Sequence, residues 1–262
     1  MTRSKTLRRL AAAVTAVALL VAATATSATA QQKQRRGVTN IVLVHGAWAD
    51  GSSWSKVIPL LEAKGLRVDA VQLPLTSQAD DVAAVQRAIA RVDGPLLLVA
   101  HSYGGAVITE AGNDGKVVGL VYVAAFAPAE GESPLDLTLA SLPPFLQHVQ
   151  QDQFGFLKLT PAGIRDDFAP DRSDSEQTVL AATQGPTSLV ALSAAISTPA
   201  WRIKPSWFAI AAYDRVVLPA LQAMFAERMN ATSIRLSSSH VAMLSEPYVV
   251  ASFIRKAARD AQ

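Results

Sequence analysis

Residues 96–107 read LLLVAHSYGGAV. The apolar run 96–100 has the length and continuity of a strand covered on both faces. It is followed at once by His101, Ser102 and Tyr103, and then by the pair Gly104 and Gly105. A Ser in that position, with small residues two before and two after it, reads as a strand-to-helix turn of the Gly-x-Ser-x-Gly kind. In such a turn the Ser holds strained dihedrals, and its neighbours must be small because the strand and helix backbones nearly touch. Ala100 adds one methyl at the first small position, while Gly104 and Gly105 leave the second open. From these residues alone, Ser102 reads either as a nucleophile or as a cap for the helix that follows.

Outward from this turn the chain alternates. Short apolar runs at 41–44, 66–71, 117–123 and 207–212, and a weaker one at 234–236, predict strands. Helical patterns occupy 53–64, 80–92, 104–112, 219–229 and 247–259, with Val82, Val85, Ile89 and Val92 on one face of the second. Strand and helix in turn predict an α/β fold with a mostly parallel, doubly wound sheet and its working residues at the carboxyl ends of the strands. Residues 128–199 break the rhythm with prolines at 134, 143, 144, 161, 170 and 186 and no clear strand. A stretch of that length is too long for a plain connection, and is expected to form a small helical cap over the sheet end.

A serine nucleophile needs a base, and the base needs a carboxylate to orient it. In this kind of fold the chain order is Ser, acid, His. SSSHVAMLSEP places His240 in a polar loop after the last strand, and AAYDRVV places Asp214 just past the strand before it. Singly, His240 reads as readily as a surface histidine and Asp214 as a turn former. Jointly with Ser102, in the required order and all at strand ends, they make a catalytic triad. Asp69 lies within a strand, Glu227 on a helix, and the strand ending at Val123 leads into no carboxylate, so Asp214 is the better acid. The oxyanion donors expected with this triad are the amides of Tyr103 and of Ala47, in VLVHGAWADGSSW. His45 is expected to orient that turn, His101 to pack, and His148 to be solvated in the cap. Trp48, Phe126, Phe145 and Met243 are candidates for the pocket lining, and the cap leucines and phenylalanines favour an apolar or aryl group over a sugar or phosphate.

Of the 262 residues, 50% are hydrophobic and 17% charged, as expected for one globular domain with a sizeable core. The formal charge of +3 comes from the first thirty residues, where Arg3, Lys5, Arg8 and Arg9 precede an apolar run and Ala28-Thr29-Ala30. This is the plan of a secretory signal peptide, with an apolar core too short to span a bilayer. Residues 1–30 are therefore expected to be removed, 31–40 to form a flexible tail, and 41–262 to fold. What remains after cleavage has 20 basic and 21 acidic residues, which removes the case for a nucleic-acid partner and leaves no stable membrane anchor. With no Cys, disulfides and thiolate chemistry are excluded, and the four His have none of the spacings that ligate a metal.

The segments HGAWADGSSW, PLTSQADD, AHSYGGAV, VYVAAFAPAEGES, PAWRIKPSWFAIAAYDRVV and SSSHVAMLSEP resemble those of the α/β-hydrolase superfamily, in the esterase group that includes plant methyl esterases, hydroxynitrile lyases and bacterial homologues. The resemblance covers essentially all of the chain after the leader. The Ala form of the elbow occurs in that group, which favours Ser102 as nucleophile. It implies hydrolysis of a small-molecule carboxylic ester through an acyl-enzyme, without a cofactor. The group's hydroxynitrile lyases place Lys after the catalytic His, where this chain has Val241. Dehalogenases and epoxide hydrolases need Asp where it has Ser102. Perhydrolase or lactonase chemistry uses the same triad, and some members of the superfamily keep the triad while serving as ligand receptors.

Overall fold

The computed structural model of the protein describes residues 37–261. The expected signal peptide, and most of the expected tail, lie outside the described residues. The tail ends earlier than the sequence suggested. Val38 is buried and its amide donates to Ala258 O at 2.8 Å, one of the carbonyls that the last turn of a helix leaves free. Asn40 already belongs to the first strand, and its side-chain amide donates to Asp93 O and Pro95 O.

The strands are β1 (Asn40–Val44), β2 (Arg67–Val71), β3 (Leu96–His101), β4 (Val117–Val123), β5 (Val149–Gln151), β6 (Phe156–Leu159), β7 (Thr187–Ser188), β8 (Ser206–Ala211) and β9 (Thr232–Leu236). The main helices are α1 (Ile58–Glu62), α2 (Gln78–Arg91), α3 (Gly104–Ala111), α4 (Pro134–Ser141), α5 (Asp174–Thr183), α6 (Pro219–Arg228) and α7 (Pro247–Asp260). Six strands form one sheet in the order β2-β1-β3-β4-β8-β9, with every neighbouring pair parallel. The inner strands β1, β3 and β8 are buried at every residue, as their unbroken apolar sequence requires, whereas the edge strands β2 and β9 are each fully buried only at their last residue, Val71 and Leu236. The helices α2 and α3 pack against each other, and α1 packs against α7. The last helix, α7, buries Val250, Phe253, Ile254 and Ala257 in a single stripe at helical spacing.

The chain runs outward from β1 to β2 and then returns to the other side of β1 as β3. Such a reversal opens a crevice beyond the carboxyl ends of the two strands flanking it. The 45–48 turn and Ser102 both lie there.

In α2 the buried stripe is Asp81, Ala84, Val85, Ala88 and Ile89, with Val82 and Val92 half-buried against the same core, so a carboxylate joins the expected apolar face. One expectation needs correction. The inserted segment is not purely helical: β5, β6 and β7 form a three-stranded antiparallel sheet beside α4 and α5. These strands are three, four and two residues long, too short to show a period in the sequence. Ser133 and Ser173 cap α4 and α5, and Ser173 completes a capping box with Glu176.

Candidate active site

Ser102 sits between β3 and α3 with φ +54. A residue with a Cβ in this region costs on the order of 1–3 kcal/mol and persists only where its surroundings force it. The surroundings are tight. A Cβ on Gly105 would lie 2.1 Å from Phe126 O, and one on Gly46 would lie 2.6 Å from Ser102 Cβ. Ala100, by contrast, faces Val44 and Tyr122 in the fully packed sheet, where a methyl is core rather than obstruction.

Ser102 Oγ is 2.9 Å from His240 Nε2, and His240 Nδ1 is 2.8 Å from Asp214 Oδ2. Each of the three lies beyond the carboxyl end of a different strand: β3, β8 and β9. A carboxylate only accepts, so the imidazole proton is on Nδ1, and Nε2 is the acceptor of the Ser102 hydroxyl. His240 and Asp214 are almost completely buried, and Phe168 from the cap packs edge-on against the imidazole at 5.1 Å. The arrangement can take the hydroxyl proton as Oγ attacks a carbon.

The loop after β1 supplies the other side. His45 Nδ1 donates to Gly46 O at 2.8 Å, and its Nε2 accepts the Leu73 amide at 2.9 Å. Both ring nitrogens are thus committed in the neutral form, and burial lowers the pKa accordingly. The Ala47 and Tyr103 amides carry no protein acceptor among the described residues, and both residues line the cavity over Ser102. Two free amides at that place are suited to receive a developing oxyanion.

The Tyr103 side chain is fixed from below. Its hydroxyl donates to Asp81 Oδ2 at 2.7 Å, and Asp81 Oδ1 accepts the Leu75 amide at 2.8 Å. Burial pushes the Asp81 carboxyl up to about 6 despite these two donors, and burial also raises the Tyr103 phenol.

The histidine next to the serine does more than pack. His101 Nε2 donates to His240 O at 2.9 Å and the two rings lie 4.5 Å apart, so His101 holds the backbone of His240. Burial, then the neighbouring His240, keep its pKa well below the ordinary value, and Nδ1 is left bare. His148 also departs from expectation. It is bound rather than solvated, 2.7 Å from the buried Asp167 carboxylate, which also receives Arg215 at 2.7 Å.

A cavity of about 60 Å³ lies over Ser102, lined by Ala47, Trp48, Phe126, Leu135, Phe145, Leu157 and Val216 among others, with no charged side chain. Of the pocket candidates Trp48, Phe126 and Phe145 line it. Met243 does not: it is fully buried in the hydrophobic core. Leu139, Leu142 and Phe154 of the cap face solvent instead. A second, more open cavity of about 300 Å³ lies between the 49–56 segment and α5. Trp48 is the residue common to the two linings. Its backbone is left-handed at φ +56, its indole Nε1 donates to Leu157 O at 3.0 Å, and its ring meets Phe145 edge-on.

Asp171, Phe168, Asp81 and Gln222 escaped the sequence reading. Asp81 left one trace, an acidic residue at helical spacing from Val85 and Ile89; Asp171 and Phe168 left none because their partners are distant in sequence, and Gln222 left none because a single polar residue on a helix shows no period.

A parallel sheet with a strained serine elbow at its switch point, and an acid and a histidine at the next strand ends, defines an α/β hydrolase. The profile of the alpha/beta hydrolase family matches residues 41–253, and the chain belongs to that family. It is 35% identical over 119 residues to a pyrethroid hydrolase of Sphingobium wenxiniae, a stretch covering 40% of this chain and 42% of that one. Methylesterase 8 of Arabidopsis thaliana is 33% identical over 110 residues, 36% of this chain and 40% of that one. Both matches thus span less than half of the relative's length. The solved pyrethroid hydrolase from Sphingobium faniae superposes with a TM-score of 0.73 at 26% identity, over 84% of this chain and 97% of that one.

Proposed function

We propose that the protein is an exported serine esterase that hydrolyses small-molecule carboxylic esters of apolar or aryl type through an acyl-enzyme, with no cofactor. The observation that carries this reading is the unbroken relay Ser102–His240–Asp214, at 2.9 and 2.8 Å, opening into an uncharged cavity. Ser102 Oγ attacks the acyl carbon while His240 Nε2 takes its proton, and the Ala47 and Tyr103 amides receive the carbonyl oxygen as it becomes anionic. His240 returns the proton to the departing alkoxide. A water then gives its proton to His240, attacks the acyl carbon and releases the acid, restoring Ser102. Asp214 holds the imidazole and balances its transient charge.

Ester chemistry is supported by relatives whose names are a pyrethroid hydrolase and a methylesterase. Export rests on the charge and apolar pattern of residues 1–30. The test is hydrolysis of a p-nitrophenyl ester chain-length series by the chain from Gln31 onward, beside Ser102→Ala. Turnover is expected for the parent, and a loss on the order of 10⁴-fold or more for the variant. A folded Ser102→Ala protein with undiminished activity would falsify the assignment.

A further inference from the structure

Resting on that reading, we infer that Gln222 is a positioning residue of the triad, which locks the Asp214 carboxylate in the orientation His240 requires. Gln222 lies in the first turn of α6, is fully buried, and uses its whole amide. Its Oε1 accepts the Ala211 amide at the end of β8, at 2.9 Å. Its Nε2 donates to Asp214 Oδ2 at 2.8 Å and to Val217 O at 2.6 Å. The amide orientation is fixed by chemistry. A flipped group would set oxygen against a carboxylate and a carbonyl, and NH₂ against an N–H.

The consequence lies at Asp214. Oδ1 accepts the Val216 and Val217 amides at 2.8 and 3.0 Å, while Oδ2 accepts Gln222 Nε2 and His240 Nδ1, both at 2.8 Å. Two backbone amides define where Oδ1 sits. Among the described residues only Gln222 and His240 bond Oδ2, and His240 is the group that must move least during proton transfer. Gln222 therefore supplies the fixed point for the oxygen that faces the base. It ties that oxygen through one rigid amide to the end of β8 and to the loop leading into α6. The nearest cation in sequence, Arg215, is engaged with Asp167 instead, so the fixing of Asp214 is done by neutral donors.

The role can be separated from simple packing. Gln222→Met keeps the volume and removes all three bonds. Gln222→Glu keeps the Ala211 acceptor and sets a second carboxyl group against Asp214. Each is made in the parent and in Asp214→Ala, and kcat, KM and thermal unfolding are measured beside Ser102→Ala. The positioning role is expected to lower kcat by about 10- to 100-fold, as loss of a hydrogen bond to a charged group does, with KM little changed. In the Asp214→Ala background the same substitutions are expected to cause no further loss, because the group they act through has gone. Equal losses in both backgrounds, an unchanged kcat, or failure of both variants to fold would overturn the role. Activity surviving in Ser102→Ala would instead overturn the esterase mechanism beneath it, so the two failures are distinguishable.

Discussion

Asp171 of the inserted cap grips Ser239, the residue before the base. Its Oδ2 accepts the Ser239 amide at 2.9 Å and its Oδ1 accepts the Ser239 hydroxyl at 2.6 Å. Next to it Arg172 donates to Leu244 O at 2.9 Å, on the far side of the same loop. The cap therefore holds the histidine loop in place from above, while His101 holds it from below. We expect Asp171→Ala to lower kcat about tenfold and to reduce the unfolding temperature, since hydrogen bonds to a charged group contribute about 1.5–3 kcal/mol. Steady-state kinetics with a thermal melt decides this. An unchanged kcat would mean that the loop holds itself.

The same clamp has an acid limit. Burial pushes the Asp171 carboxyl up, but the Ser239 hydroxyl and amide, together with the Ser245 hydroxyl and the Arg172 charge, hold it below its ordinary value. A carboxyl depressed on folding stabilises the fold above its unfolded pKa, near 4, and loses that contribution as the pH falls through the folded value. Melts below about pH 4 are expected to bring Asp171→Ala and the parent together, the gap being widest near neutrality.

Asp81 behaves in the opposite sense. Its carboxyl rises from 3.8 to about 6 on folding, so the folded chain binds the extra proton between those values. Its contribution is fully present below about pH 4 and is lost as the pH rises through about 6. Asp81→Asn stays uncharged throughout. The unfolding temperature of Asp81→Asn relative to the parent is therefore expected to climb across that interval and level off above it. A difference that is flat with pH would mean Asp81 is not the titrating group.

Trp48 separates a cavity of about 60 Å³ from one of about 300 Å³. Removing the indole in Trp48→Ala is expected to join them, moving the p-nitrophenyl ester optimum to longer acyl chains. An identical chain-length profile in the two proteins would show that substrates do not extend toward α5.

Gly105 admits no side chain, because the obstacle at 2.1 Å is the backbone oxygen of Phe126, which cannot rotate away. Gly105→Ala is expected to lose several kcal/mol, at the severe end of single substitutions, read as a fall in soluble, folded protein. A well-folded Gly105→Ala with parental melting would mean that the junction between α3 and the 124–127 segment can open.

The sheet was legible because β1, β3, β4 and β8 are unbroken apolar runs, and such runs form only where both faces are covered. Ser102, Asp214 and His240 were legible because each closely follows a strand in a fixed order. The cap strands were not, since β7 has two residues and takes its shape from pairing with β6. Asp81, Asp171 and Gln222 were hidden for a related reason. Asp81 and Asp171 take their meaning from partners far along the chain, Tyr103 and Ser239, and Gln222 from the way the turn between β8 and α6 folds back on Asp214; a lone polar letter carries no period in any of these cases. Met243 was misplaced because adjacency to His240 along the chain said nothing about which side of the backbone its thioether would take.

The relay draws on β3, β8 and β9, and β9 is both an edge of the sheet and the last in chain order of the described strands. A nascent chain that has closed β2, β1, β3 and β4 already owns the elbow and the oxyanion turn, yet has neither acid nor base. On the proposed mechanism, hydrolysis would therefore wait until β9 docks beside β8 and brings His240 to Ser102. On the proposed mechanism, a chain clipped before Thr232 would keep the elbow and the oxyanion turn yet lose His240, a fold without a reaction.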